Sequence, residues 1–142
     1  MIKLLASGDI DNFSYAFQEL VLNSLSFNDI NDTELEKSYH LFVLGLLVIL
    51  SDQYAVRSNR ESGHGRYDLM LIPRDVTKTG IIIEFKKAPT VEQFTKTCQE
   101  VLNQIKQKNY IHELRAQGVK NIIIYGIAFF KKQLLVSLEV IQ

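Results

Sequence analysis

The order in which hydrophobic periodicities follow one another along the 142 residues predicts an α/β fold, a mixed central sheet flanked by helices. Two stretches with three- and four-residue spacing open the chain, and three strand-like runs follow. A further helical stretch then separates those runs from two more apolar strands, and it is long enough to serve as the crossover of a parallel pair.

In residues 10–27, Ile10, Phe13, Phe17, Leu20, Val21 and Leu25 form the apolar stripe of an amphipathic helix entered through Ser7 or Asp9. The segment NDINDT is a polar break whose Asn and Asp side chains favour turns and caps. Thr33 and Glu36 have capping-box spacing, and a second helix runs on to Leu50, nearly apolar all round in its second half. Tyr54 to Ser58 and Arg66 to Ile72 read as short strands joined by the loop NRESGHG, and Pro73 ends the second. Ile81-Ile82-Ile83 opens a third strand buried on both faces, into which charge enters at Glu84 and Lys86. Thr90 and Gln93 again have capping-box spacing before a helix through Val91, Phe94, Cys98, Val101, Leu102 and Ile105. Its extension through Tyr110, Ile111 and Leu114 ends at Gly118, a C-cap position. Asn121 to Phe129 and Leu134 to Ile141 are the last strands, joined by the basic turn KKQ.

Length fits one domain with a single core, divided into an N-terminal helical extension over 1–32 and a core over 33–142. Apolar residues at 46% and charged residues at 23% exclude a disordered or fibrous chain. Sixteen basic residues balance sixteen acidic ones, so net charge does not demand a nucleic-acid or anionic-membrane partner. The balance conceals an asymmetry: residues 1–71 hold 5 basic and 10 acidic side chains, and 72–142 hold 11 and 6. Cys98 stands alone, which excludes a disulfide framework and a cysteine zinc site and suits a reducing compartment. The start MIKLLASGDI lacks a secretory h-region, and the apolar block Leu41 to Leu50 is half the roughly 20 residues a bilayer needs. A cytoplasmic protein without a membrane partner is expected.

Three residues resist a purely structural reading. Asp68 lies inside a strand, where propensity and desolvation both oppose an acid. Glu84 and Lys86 are two apart, so both lie on one face of their strand. With Asp68 and Glu84 on adjacent strands, two carboxylates and one ammonium converge, and two carboxylates that close repel unless a cation or proton joins them. Mg²⁺, with Mn²⁺ as its substitute, suits two carboxylates plus the Phe85 carbonyl. Lys86 is then placed to hold water and stabilise a charged transition state, and phosphodiester hydrolysis is the expected reaction.

Asp68, fifteen intervening residues and then Glu84-Phe85-Lys86 on an apolar strand resembles the D…(D/E)-x-K signature of the PD-(D/E)XK nuclease superfamily. The segments ELEKSYH, SNRESGHGRYDLMLIP, IIIEFK and NIIIYGIAF, together with the Gln104 helix, look like the branch often found behind AAA-ATPase-like domains in bacterial proteins. The resemblance covers roughly residues 10–140 and implies a restriction-endonuclease-like αβββαβ core, here with an extra N-terminal helix and a C-terminal strand. It implies Asp68 and Glu84 as metal ligands, Lys86 as the catalytic lysine, Glu36 as an acid on the first core helix, and Gln104 as an auxiliary polar residue. DNA is the implied substrate, an AAA-ATPase-like domain or protein an implied partner, and a homodimer suits an enzyme cutting both strands. Tyr67 stands where the named motif has Pro, and no ATPase-like region lies within the 142 residues.

Each residue also has a structural reading. Asp68, Glu84 and Lys86 could form an ion pair that specifies strand register, and Glu36 could simply cap its helix. His40 shares a helical face with Glu36, where contact with phosphate and a hydrogen-bonded, partly buried imidazole are both open. Arg66 shares a strand face with Asp68 and could pair with it or with a phosphate. Arg57, Arg60 and His64 border the Gly-rich loop, where cations could hold a nucleic-acid backbone or merely solvate the loop. Lys106 and Lys108 could line a phosphate track, though charges along a helix read by default as a solvated face; Gln104 could serve the site or solvate its helix edge, and Tyr110 reads as core rather than a base-stacking platform. The rival function is a non-catalytic module that binds nucleic acid or protein on the same fold.

Overall fold

The computed structural model describes residues 6–24, 45, 52–61, 66–131 and 133–142, with backbone alone at 20–24, 59–61 and 66–68. The helix expected over 33–50, with Glu36 and His40, lies outside the described residues apart from Gly45, which is helical. His64 also lies outside them.

Helix α1 spans Ile10–Ser24. Of its two candidate caps Asp9 serves, its Oδ1 accepting the Asn12 backbone N–H at 3.2 Å. Strands β1 (Tyr54–Glu61), β2 (Arg66–Pro73) and β3 (Gly80–Lys87) form an antiparallel meander. A 3₁₀ turn at Val91–Gln93 leads into α2 (Phe94–Gln107), and α3 (Tyr110–Ala116) follows. Strand β4 (Ile122–Phe130) then lies parallel to β3, and β5 (Gln133–Ile141) returns antiparallel to β4. The sheet order is β1-β2-β3-β4-β5, the mixed α/β sheet that the hydrophobic pattern predicts, with α2 and α3 in the crossover.

Three local expectations need correction or sharpening. Strand β1 runs through Asn59, Arg60 and Glu61, which the sequence suggests are loop, because pairing with Asp68, Tyr67 and Arg66 extends the hairpin beyond its apolar part. The Thr90–Gln93 capping box is not made: Thr90 gives no side-chain cap, and its carbonyl accepts the Gln93 N–H at 3.2 Å in the 3₁₀ turn. Gly118 does close α3, at φ 91°, with Val119 N–H bonded to the Leu114 carbonyl and Gly118 N–H to that of Arg115. That is a Schellman motif, and its positive φ is why glycine stands there.

The sheet separates two cores. On one face α1 lays Phe13 and Phe17 over Leu69, Ile81, Ile83, Phe85 and Tyr125. Phe13 stacks on Phe17 at 5.7 Å between ring centroids and lies 5.6 Å from Tyr125. On the other face Val101, Leu102 and Ile105 of α2, with Leu114 and Val119, cover Met70, Ile82, Ile122 and Ile124.

Candidate active site

Strand pairing builds the site. Asp68 is directly opposite Glu84 and Arg66 directly opposite Lys86 in the β2–β3 register, so the four positions share one face of the sheet. That face is the one Met70 and Ile82 give to the α2 core. Phe85 alternates to the other face, where its ring packs 6.4 Å from Phe17, so its side chain takes no part in the site.

Gly126 sits beside Glu84 in the parallel β3–β4 register. A Cβ there would come within 3.1 Å of the Cys98 carbonyl and 3.2 Å of Val101, so glycine lets α2 approach the sheet next to Glu84. The approach also buries Cys98, whose Sγ lies 3.4 Å from the Leu135 carbonyl and whose thiol pKa is raised chiefly by burial.

Glu100 and Gln104 lie four residues apart on one stripe of α2, and Lys108, the residue that ends the helix, follows at the same spacing. A crossover helix runs antiparallel to the strand it follows, so its early residues meet the end of β3 and its late ones the middle. Accordingly Lys86 Nζ lies 3.0 Å from Glu100 Oε2, and Lys108 Nζ lies 2.7 Å from Glu84 Oε1. Glu84 is 0% exposed, whereas the Lys86 and Lys108 side chains each keep 23%. A carboxylate so buried is stable as an anion only beside a cation, and Lys108 is that cation. Between the two pairs lies Gln104, whose Oε1 is buried with no hydrogen-bond partner among the described residues.

This corrects the sequence reading of Lys108, which is no solvated helix residue: its stem runs inward to Glu84 and its ammonium lies 5.7 Å from the Tyr110 ring centroid. Tyr110 itself packs against the α2 core, and Lys106 pairs with Glu139 at 2.9 Å. Arg57 reaches Glu113 only at 3.8 Å with both side chains well exposed. Arg60 stands opposite Tyr67 in the hairpin. Sequence reasoning passed over Glu100 and Gly126. The four-residue series Glu100, Gln104, Lys108 opposite a strand with Glu and Lys was the available signal for the first, and a lone glycine inside an apolar strand for the second.

The family model of the PD-(D/E)XK nuclease superfamily matches residues 34–139, about three quarters of the chain. The chain belongs to this superfamily. No curated protein and no solved structure matches it. A divalent metal is usual in the superfamily, and the residue types here suit one: the Glu84 Oε2 and Gln104 Oε1 atoms are buried hard oxygen donors without a hydrogen-bond partner among the described residues, and Asp68 stands opposite Glu84 in the strand register. Among the described residues no three His, Cys, Asp or Glu side chains cluster around a single point. No described helix is long and apolar enough to cross a membrane.

Proposed function

We propose that the chain is a Mg²⁺-dependent nuclease hydrolysing phosphodiester bonds in DNA. The observation that carries this reading is the β2–β3 register, which puts Asp68 opposite the fully buried Glu84 with Lys86 two residues along the same face. Asp68 and Glu84 would hold the ion, with the Phe85 carbonyl, Glu36 and Gln104 Oε1 as further oxygen donors. Bound Mg²⁺ would supply positive charge at the phosphate and acidify a water molecule.

Lys86 Nζ would orient the attacking water and stabilise charge on the phosphate oxygens, and Glu100, 3.0 Å away, steers that ammonium towards the site. Gln104 would orient water through its amide. Arg66, Arg60 and His40 would hold the nucleic-acid backbone. An AAA-ATPase-like domain or protein and a second copy of the chain are proposed partners, on the strength of the resemblance alone.

Purified protein should nick plasmid DNA with Mg²⁺ or Mn²⁺, and Lys86→Ala should abolish nicking without unfolding the chain. Equal activity in wild type, Asp68→Ala and Glu84→Ala would refute the proposal. One observation favours the rival, a non-catalytic binding module: both charges of the Glu84-Phe85-Lys86 motif are already compensated by Lys108 and Glu100. Calorimetry separates the two, since a module of this kind would bind no divalent ion.

A further inference from the structure

We infer that Lys108 is a built-in counter-cation that occupies Glu84 until a divalent ion displaces it, so that the metal affinity of the site is set by this exchange. The inference rests on the metal-site reading above and adds to it a residue that controls loading.

Geometry supports it at three points. The Lys108 ammonium is 2.7 Å from Glu84 Oε1, and a second cation on the same carboxylate would meet it at close range in a poorly solvated place. The stem of Lys108 begins where α2 has already ended: its backbone is extended, at φ −82° and ψ 159°, in the two-residue link before α3. With 23% of its side chain exposed, Lys108 borders solvent, so a long flexible stem can carry the ammonium outward. The Tyr110 ring, 5.7 Å away, is an aromatic face beside that route.

Lys86 is placed differently. It is held by Glu100 from the other end of the stripe, so a cation stays beside Glu84 when Lys108 leaves. The two lysines thus divide the work: one remains, and one yields.

If Lys108 holds Glu84 in nine molecules of ten, the apparent affinity for the ion is reduced about tenfold. The test measures Mn²⁺ binding by calorimetry to wild type and Lys108→Gln. It also measures acetylation of Lys108 in wild type by mass spectrometry, with and without saturating Mn²⁺ and with the exposed Lys120 as internal reference. Lys108→Gln should bind Mn²⁺ about tenfold more tightly, and in wild type the ion should raise Lys108 labelling severalfold relative to Lys120. The labelling arm needs no variant, so a folding defect in Lys108→Gln would not protect the inference. Unchanged Lys108 labelling at saturating Mn²⁺, or equal affinities in two folded proteins, overturns the exchange and leaves the metal site standing. Failure of both proteins to bind Mn²⁺ overturns the metal site and the exchange together.

Discussion

Ile81, Ile83 and Phe85 face α1, while Ile82, Glu84 and Lys86 face α2, yet all six belong to one eight-residue strand. The α1 side is apolar from Ile81 to Phe85, where it closes with aromatic packing, and only Lys87 at the strand end is charged. The α2 side begins the same way at Ile82 and then turns to charge, at the level where Gly126 brings the helix close. The difference teaches that burial and chemistry are not alternatives in β3. Glu84 is as inaccessible as its isoleucine neighbours, and what distinguishes it is a partner reaching in from the end of α2.

The largest effect should come from the apolar face. Phe85→Ala should cost about 3–5 kcal/mol in urea unfolding, because its ring is buried against Phe17. Lys86→Ala, one residue away, should change stability by less than about 1 kcal/mol, its pair being partly solvated, while lowering nicking by about 100-fold or more. A larger stability loss in Lys86→Ala than in Phe85→Ala would erase the contrast between the faces.

Next comes the buried pair. Lys108→Met without metal should cost about 2 kcal/mol by removing the ammonium in contact with buried Glu84, less than for a fully enclosed pair because Lys108 reaches solvent. Glu84→Leu with Lys108→Leu should return stability to within about 1 kcal/mol of wild type. If the double variant is as unstable as the single one, the pair holds the face together in a way its burial does not explain.

Gly126→Ala should cost about 1–2 kcal/mol by pressing on the Cys98 carbonyl and Val101, and it should lower nicking as well, since α2 carries Glu100 and Gln104 and leads directly into Lys108. The smallest effect, silent at neutral pH, lies on the α1 side. Burial first, and then the Asp9 charge, push the Tyr125 phenol from 10.0 up to about 12. A raised folded-state pKa means its contribution is complete below pH 10 and is lost as pH rises towards 12. Tyr125→Phe should therefore flatten the alkaline arm of the stability curve over that range.

Elements whose identity depends on their own side chains could be read directly. The stripe of α2 has a helical period, the Ile81–Ile83 run and the apolar β4 are short and isoleucine-rich as buried strands are, and Gly118 marks the end of α3 because its φ strains a residue with a side chain. Where a partner decides, reading failed. Asn59 to Glu61 is polar and looks like loop, but β2 supplies the ladder that makes it strand. Thr90 and Gln93 have the spacing of a cap, but the chain enters α2 through a 3₁₀ turn.

The same division holds for the site. The spacing of Glu84 and Lys86 assigns both to one face of a strand before any fold is known, because side chains in extended backbone alternate with a period of two. Which helix residues meet them depends on how closely α2 lies to the sheet and in which direction it runs. Those are properties of packing between distant segments, and they bring Glu100 to Lys86 and Lys108 to Glu84 across 14 and 24 residues of chain.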